Sequence, residues 1–166
     1  CWFGDTPSQE LGKENEVVLL FLNVYCSKTS QALFYKSKES ALVEKCLIAA
    51  SEISELDVLN QATIASAVAD MDLTVSRMII TNQSAVVIYD SLNANTEGNY
   101  VLFPEVLQAL NMYDVFSWNY HDGAMLSRAA APILSYGTLS GCIYITDYDT
   151  EQGALIQSLQ RNILSI

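Results

Sequence analysis

Arg77-Met-Ile-Ile-Thr81, Asn82-Gln83-Ser84 and Ala85-Val-Val-Ile-Tyr89 form two apolar, β-branched runs broken once by turn formers. The second run ends in Asp90-Ser91. Paired runs of this kind, rich in Ile and Val and separated by a short polar turn, predict two adjacent strands over 75–81 and 84–90. Working outward, Phe103-Pro-Glu-Val-Leu-Gln-Ala-Leu110 predicts a short helix, with Pro104 suited to its first turn. Three further strands are expected over Val115–Tyr120, Met125–Leu134 and Leu139–Thr146. Their joints, His121-Asp122-Gly123 and Ser135-Tyr136-Gly137-Thr138, are short enough for hairpins. The segment Ser91–Tyr100, with Asn93, Asn95 and Gly98, reads as an exposed loop.

Helices flank this block. No Gly or Pro occurs between Glu16 and Ile53, which predicts one long helix of ~55 Å at 1.5 Å per residue. That exceeds what a compact domain needs, so part of it should meet a second chain or continue toward a membrane. A second helix is expected over Leu56–Met71, and a last one from about Asp149 to Ile166, opened by Asp149-Thr150-Glu151. Residues 1–15 read as an irregular lead-in, and 16–166 as one domain. Strands cluster instead of alternating with helices, so the fold class is α+β with an antiparallel sheet.

Composition narrows the function. Of 166 residues, 51% are hydrophobic and 16% charged, which fits a packed core. Net charge is −11. All five lysines (Lys13, Lys28, Lys36, Lys38, Lys45) precede Cys46, and beyond it 13 acidic residues face only Arg77, Arg128 and Arg161. Such a body repels phosphate backbones, so nucleic acid is not an expected partner. Cys1, Cys26, Cys46 and Cys142 have no metal-binding spacing, and Cys46 and Cys142 sit in apolar runs as small hydrophobes. Cys1 stands where a lipoprotein would carry its lipid, a reading that competes with a simple start of the chain. Val17–Cys26 is half the length needed to span a bilayer and is interrupted by Asn23.

Residues 76–91 (SRMIITNQSAVVIYDS), 103–110 (FPEVLQAL), 127–134 (SRAAAPIL) and 141–152 (GCIYITDYDTEQ) resemble the extracytoplasmic PAS-like sensor domains of bacterial two-component histidine kinases, the PDC or Cache-like group. In that group the first strand pair commonly turns through an aspartate and a glycine, where this chain has Asn82 and Ser84. The resemblance implies a five-stranded antiparallel PAS-like sheet with a long N-terminal helix, a second helix and a C-terminal exit helix. It further implies a signal-sensing input domain outside the cell, flanking transmembrane helices, a homodimer through the N-terminal helix, and a cytoplasmic kinase elsewhere in the protein. The rivals are a cytosolic PAS module that binds a cofactor, a ligand-free structural or lipoprotein domain, and, weakest, a hydrolase.

No catalytic or metal-binding residue and no cofactor is expected. His121 is the single histidine and lies in a turn, with no nucleophile-elbow pattern to partner it. Arg77 and Arg128 are the only cations of the sheet region and could clamp a carboxylate of a small-molecule stimulus bidentately. They compete with a structural role, paired to Asp90 or Asp122. Which sheet face Arg128 occupies follows from its alternation with Leu126 and Ala130. Tyr89, Trp118 and Tyr120 could wall the same pocket, or serve as core and cross-strand partners. Asp147, Asp149 and Glu151 could hold a divalent cation or stabilise the start of the exit helix.

Overall fold

The computed structural model describes residues 7–71, 73–151 and 154. Helix α1 (Pro7–Ser54) and helix α2 (Gln61–Asp70) precede strands β1 (Arg77–Asn82) and β2 (Val87–Asp90). A single 3-10 turn (Ala94–Thr96) and helix α3 (Pro104–Leu110) follow, then β3 (Val115–His121), β4 (Ala124–Ser135) and β5 (Thr138–Asp149). The five strands form one antiparallel sheet in the order β2-β1-β5-β4-β3, so the first and last strands lie side by side at its centre. This is the α+β, PAS-like layout expected.

The sheet is apolar on both faces because helices cover both. On one side Met78, Ile80, Ala129, Ala131, Ile133, Ile143 and Ile145 share a core with Leu42, Cys46, Ala49, Ala50 and Ile53 of α1 and Ile64 of α2. The α1 contributors recur at helical spacing, so only one stripe of that helix is buried. On the other side Ile79, Val87, Ala130, Cys142 and Tyr144 pack against Val106 and Ala109 of α3.

Several boundaries differ from expectation. Helix α1 begins at Pro7, so from that residue on the irregular lead-in over 1–15 gives way to helix. Proline is favoured at a first helical position, and Gly12 inside the helix costs only about 1 kcal/mol. Helix α2 starts at Gln61, not Leu56, because Asn60 caps it. The Asn60 side chain accepts from the Thr63 amide at 2.9 Å, and the Asn60 amide donates to Thr63 Oγ1 at 3.2 Å. Strand β2 starts at Val87, since Ala85 takes a left-handed conformation (φ 61°) that ends the turn. Strand β5 runs past Thr146 to Asp149, paired with β4 throughout. Thr150, Glu151 and Ala154 are helical, and the rest of the expected exit helix lies outside the described residues.

Both hairpins form as two-residue loops. Asp122-Gly123 and Tyr136-Gly137 all have positive φ (49°, 80°, 51° and 76°), the geometry whose twist matches a right-handed strand pair. The 91–103 segment runs along the outer edge of β2. Gly98 donates its amide to Val87, Val87 to Asn99 and Val101 to Ala85, each at 2.9 Å. An edge that would otherwise invite pairing with another chain is thereby covered.

Candidate functional site

Pairing register fixes which side chains share a face. Arg77, Thr146, Arg128 and Ser117 stand directly opposite one another across β1, β5, β4 and β3, in one lateral row. Ile79, Tyr144 and Ala130, in the neighbouring row, pack under α3, so the arginine row lies on the α3 side. Tyr89, Trp118 and Tyr120 have the opposite parity and lie on the α1 side. The structure therefore brings Arg77 and Arg128 together and separates them from all three aromatics.

The aromatics are occupied as packing residues. Trp118 stacks on Tyr35 of α1 at 4.0 Å and 11°. Tyr89 packs against the α1-side core. The Tyr120 hydroxyl is buried without a hydrogen-bond partner.

The two arginines differ in commitment. Arg77 Nε donates to Asp90 Oδ1 at 3.0 Å, and its Nη2 donates to Asp90 Oδ2, a two-point fork. Asp90 also accepts from Thr96 Oγ1 at 2.7 Å and from the Leu92 amide at 3.1 Å, so this pair pins the 91–96 segment to the sheet. Burial alone would raise the Asp90 pKa, but the guanidinium, the hydroxyl and the amide outweigh it and hold it at about 2. Arg128, half-buried, has no carboxylate within 4.0 Å among the described residues. Its charge acts on the nearby Tyr144 phenol.

Around Arg128 stand groups that the sequence did not single out. Glu105, the second residue of α3, is only 9% exposed and accepts a short hydrogen bond from Ser117 Oγ. Tyr144 is 4% exposed, with the Phe103 ring 5.2 Å away at the rim. Burial pushes the Tyr144 phenol up to about 12; the Glu105 carboxylate adds to the rise, and Arg128 and Arg77 oppose it. Glu105 was hidden because an acidic residue after Pro104 reads as an ordinary helix-start charge. Tyr144 was hidden inside an apolar strand run.

Asp147 and Asp149 face a lysine, and Asp149 stands immediately before Thr150, the first helical residue after β5. On the α1 face, Lys38 Nζ lies 2.6 Å from Asp147 and 3.3 Å from Asp149. His121 lies 3.1 Å from Asp122, both well exposed. A separate open groove of about 840 Å³ between α1 and α2 carries Glu52, Glu55 and Asp70 on its lining, which disfavours an anionic occupant. Among the described residues no three His, Cys, Asp or Glu side chains converge as a metal site would require.

This architecture recurs in solved structures. The sensor domain of Escherichia coli DcuS superposes with a TM-score of 0.51 at 16% identity, over 72% of this chain and 97% of that one. Its fold is that of a sensor domain. The ligand-binding domain of the Pseudomonas aeruginosa amino acid chemoreceptor PctC, solved with GABA, gives 0.60 at 16% identity, over 86% of this chain and 64% of that one. An extracellular ligand-binding receptor from Desulfohalobium retbaense gives 0.53 at 12% identity, over 85% of this chain and 26% of that one. No family model matches the sequence, and no curated protein matches it significantly. The α+β fold with a five-stranded antiparallel sheet, expected from the sequence, is thus the fold observed, and it is shared with these sensor and ligand-binding domains.

Proposed function

We propose that this chain is the extracytoplasmic input domain of a membrane-anchored sensor kinase, and that Arg128 receives the carboxylate of a small-molecule stimulus. The observation that carries the reading is Arg128 itself: a half-buried guanidinium on the α3 face of a sensor fold, without an acidic partner among the described residues. A guanidinium so held offers two parallel N–H donors to a carboxylate at little reorganisation. Arg77 contributes only through the row's field, since Asp90 engages it.

Relay follows from alternation along β5. Thr146 lies in the arginine row, and the next residue, Asp147, turns to the other face and holds Lys38 of α1. A ligand that draws β5 toward Arg128 shifts the Lys38 contact, and with it the balance between two packings of sheet and helix.

Helix α1 supplies the route to membrane and partner. At 48 residues it extends about 72 Å. Val17, Val18, Leu19, Phe21 and Leu22 are each more than half exposed, and the helix is apolar enough over 18 residues to cross a bilayer. Exposed Leu19, Leu22, Cys26, Leu33 and Leu47 fall at coiled-coil spacing, the seam of a parallel homodimer. In a Cys1→Ser background, mild oxidation should therefore crosslink two copies through Cys26.

A thermal-shift screen with small carboxylates, both with and without amino groups, tests the central reading. One or more should raise the melting temperature, and Arg128→Ala should remove that shift. Failure of every carboxylate, or a shift indifferent to Arg128, removes the reading.

A further inference from the structure

We propose that the groove between α1 and α2 is a docking surface for a basic amphipathic helix of a partner protein. It lies on the α1 side of the sheet and is independent of Arg128.

The groove, of about 840 Å³, has two helical walls. On α1, Ile48, Glu52 and Glu55 recur at helical spacing, in a stripe beside the buried one of Cys46, Ala49 and Ile53. On α2, Ser66 and Asp70 stand one turn apart. Ile48, 47% exposed, and the half-buried Leu56 and Met71 give the groove its apolar surface. Small-molecule sites enclose most of their ligand, whereas an open furrow between two helices suits a third helix laid along it. Helix α2 has 10 residues and is about 15 Å long, so the furrow accommodates roughly three helical turns.

Charge then selects the partner. Every charged residue that lines the groove is acidic: Glu52, Glu55 and Asp70. All three are exposed, and none is in an ion pair among the described residues. Lys45, the cation of this part of α1, donates to the Thr74 carbonyl at 2.7 Å and does not line the groove. The carboxylates do not converge on one point as a metal ion requires. Apolar surface bordered by spaced, unpaired carboxylates is the complement of a helix with one apolar stripe and lysines or arginines along its borders. Burial of that stripe supplies affinity, the charges supply orientation, and an acidic helix meets only like charge.

The test is fluorescence anisotropy on this chain with a panel of helical peptides of about 12 residues, each with an apolar stripe bordered by lysines. Two controls accompany each peptide: one with every lysine replaced by glutamate, and one of the same composition with the stripe scrambled. At least one basic amphipathic peptide should bind, and its controls should bind about 10-fold more weakly or not at all. Glu52→Gln with Asp70→Asn should weaken that peptide by about 10-fold. Ser66→Arg, which adds bulk and a like charge to the α2 wall, should abolish binding. Glu39→Gln with Glu97→Gln removes the same two charges outside the groove and should leave the affinity unchanged. Equal weakening by the two pairs would mean attraction by the overall acidity of the chain, and overturns the proposal. A scrambled peptide that binds as tightly as its parent does the same. Spermidine that binds as tightly as the peptide and needs Glu52 and Asp70, or self-association that Ser66→Arg dissolves, names a different occupant and also overturns it. Silence of the whole panel overturns it as well. The substituted side chains are all exposed, and the comparison among peptides on the unmutated chain stands without them.

Discussion

Lys38 Nζ lies 2.6 Å from Asp147 Oδ2, joining the long first helix to the end of the last strand across 109 positions of sequence. Asp149 takes the same ammonium at 3.3 Å. Side chains here are only 15–22% exposed, so the contact is worth more than a solvated surface pair. Burial acts to lower the Lys38 pKa, but the two carboxylates outweigh it and the net shift is upward. The ammonium is thus charged throughout the neutral range, and the clamp is permanent unless β5 or α1 moves.

Lys38→Met should destabilise the domain by about 2 kcal/mol, between the values for exposed and fully buried pairs. Asp147 and Asp149 would both lose the ammonium they share. Adding Asp147→Asn and Asp149→Asn should recover part of that loss, and urea unfolding of the single and combined variants measures the coupling. Strictly additive losses would show that the clamp carries no energy of its own.

Asp90 makes stability depend on acid. Its folded pKa of about 2 lies below the ordinary value of 3.8. A carboxylate depressed in this way stabilises the fold fully above its unfolded pKa and loses the contribution as pH falls through the folded one. The difference corresponds to about 2 kcal/mol. Asp90→Asn should therefore be less stable than the unmutated chain near pH 5, and the gap should shrink by more than half near pH 2.5. A gap independent of pH would mean that Arg77 and Asp90 are not coupled as an ion pair.

The strand block was legible in the sequence because each strand combines β-branched residues with a strong turn, and two of the turns contain Gly at a position needing positive φ. The capping of α2 was not, since Asn60 with Thr63 departs from the familiar acidic capping pair. The extension of β5 was missed because Asp147 and Asp149 look like helix-start charges until Lys38, far away in sequence, is seen beside them. Arg128 could be singled out by charge alone, as one of the two cations of the sheet. Its environment could not: Glu105, Ser117 and Tyr144 come from three other elements, and only register brings them together. The same register sends Tyr89, Trp118 and Tyr120 to the opposite face, where an odd or even position in a strand decides everything. In the first turn, Asn82 does act as the local acceptor, for the Ser84 and Val86 amides, but the left-handed residue is Ala85 and not Ser84.

Tyr136 opens the β4–β5 hairpin in a left-handed conformation, φ 51°, with a fully exposed ring. Tyrosine is a poor residue for that position, and its ring contributes no burial. Tyr136→Asn creates the Asn-Gly sequence preferred in such loops. The variant should be more stable by about 0.5 kcal/mol, read as a higher denaturant midpoint with unchanged slope. A lower midpoint would show that the ring makes contacts in solution.

Gly141 should tolerate no side chain. It pairs with Asn82 on one side and Ile133 on the other, next to the point where β5 carries a bulge at Ser140. A Cβ there would sit 1.9 Å from the Thr81 carbonyl oxygen, well inside contact distance, and the obstacle is backbone that cannot swing aside. Gly141→Ala should therefore push β1 away from β5 and cost about 3 kcal/mol or more. Gly123→Ala is the informative comparison: its added Cβ meets nothing within 4 Å, and only the positive φ of 80° opposes it. That variant should lose about 1 kcal/mol. Chemical denaturation of the two separates strand contact from turn strain, and equal losses would mean that the β1–β5 approach is looser than the 1.9 Å separation requires.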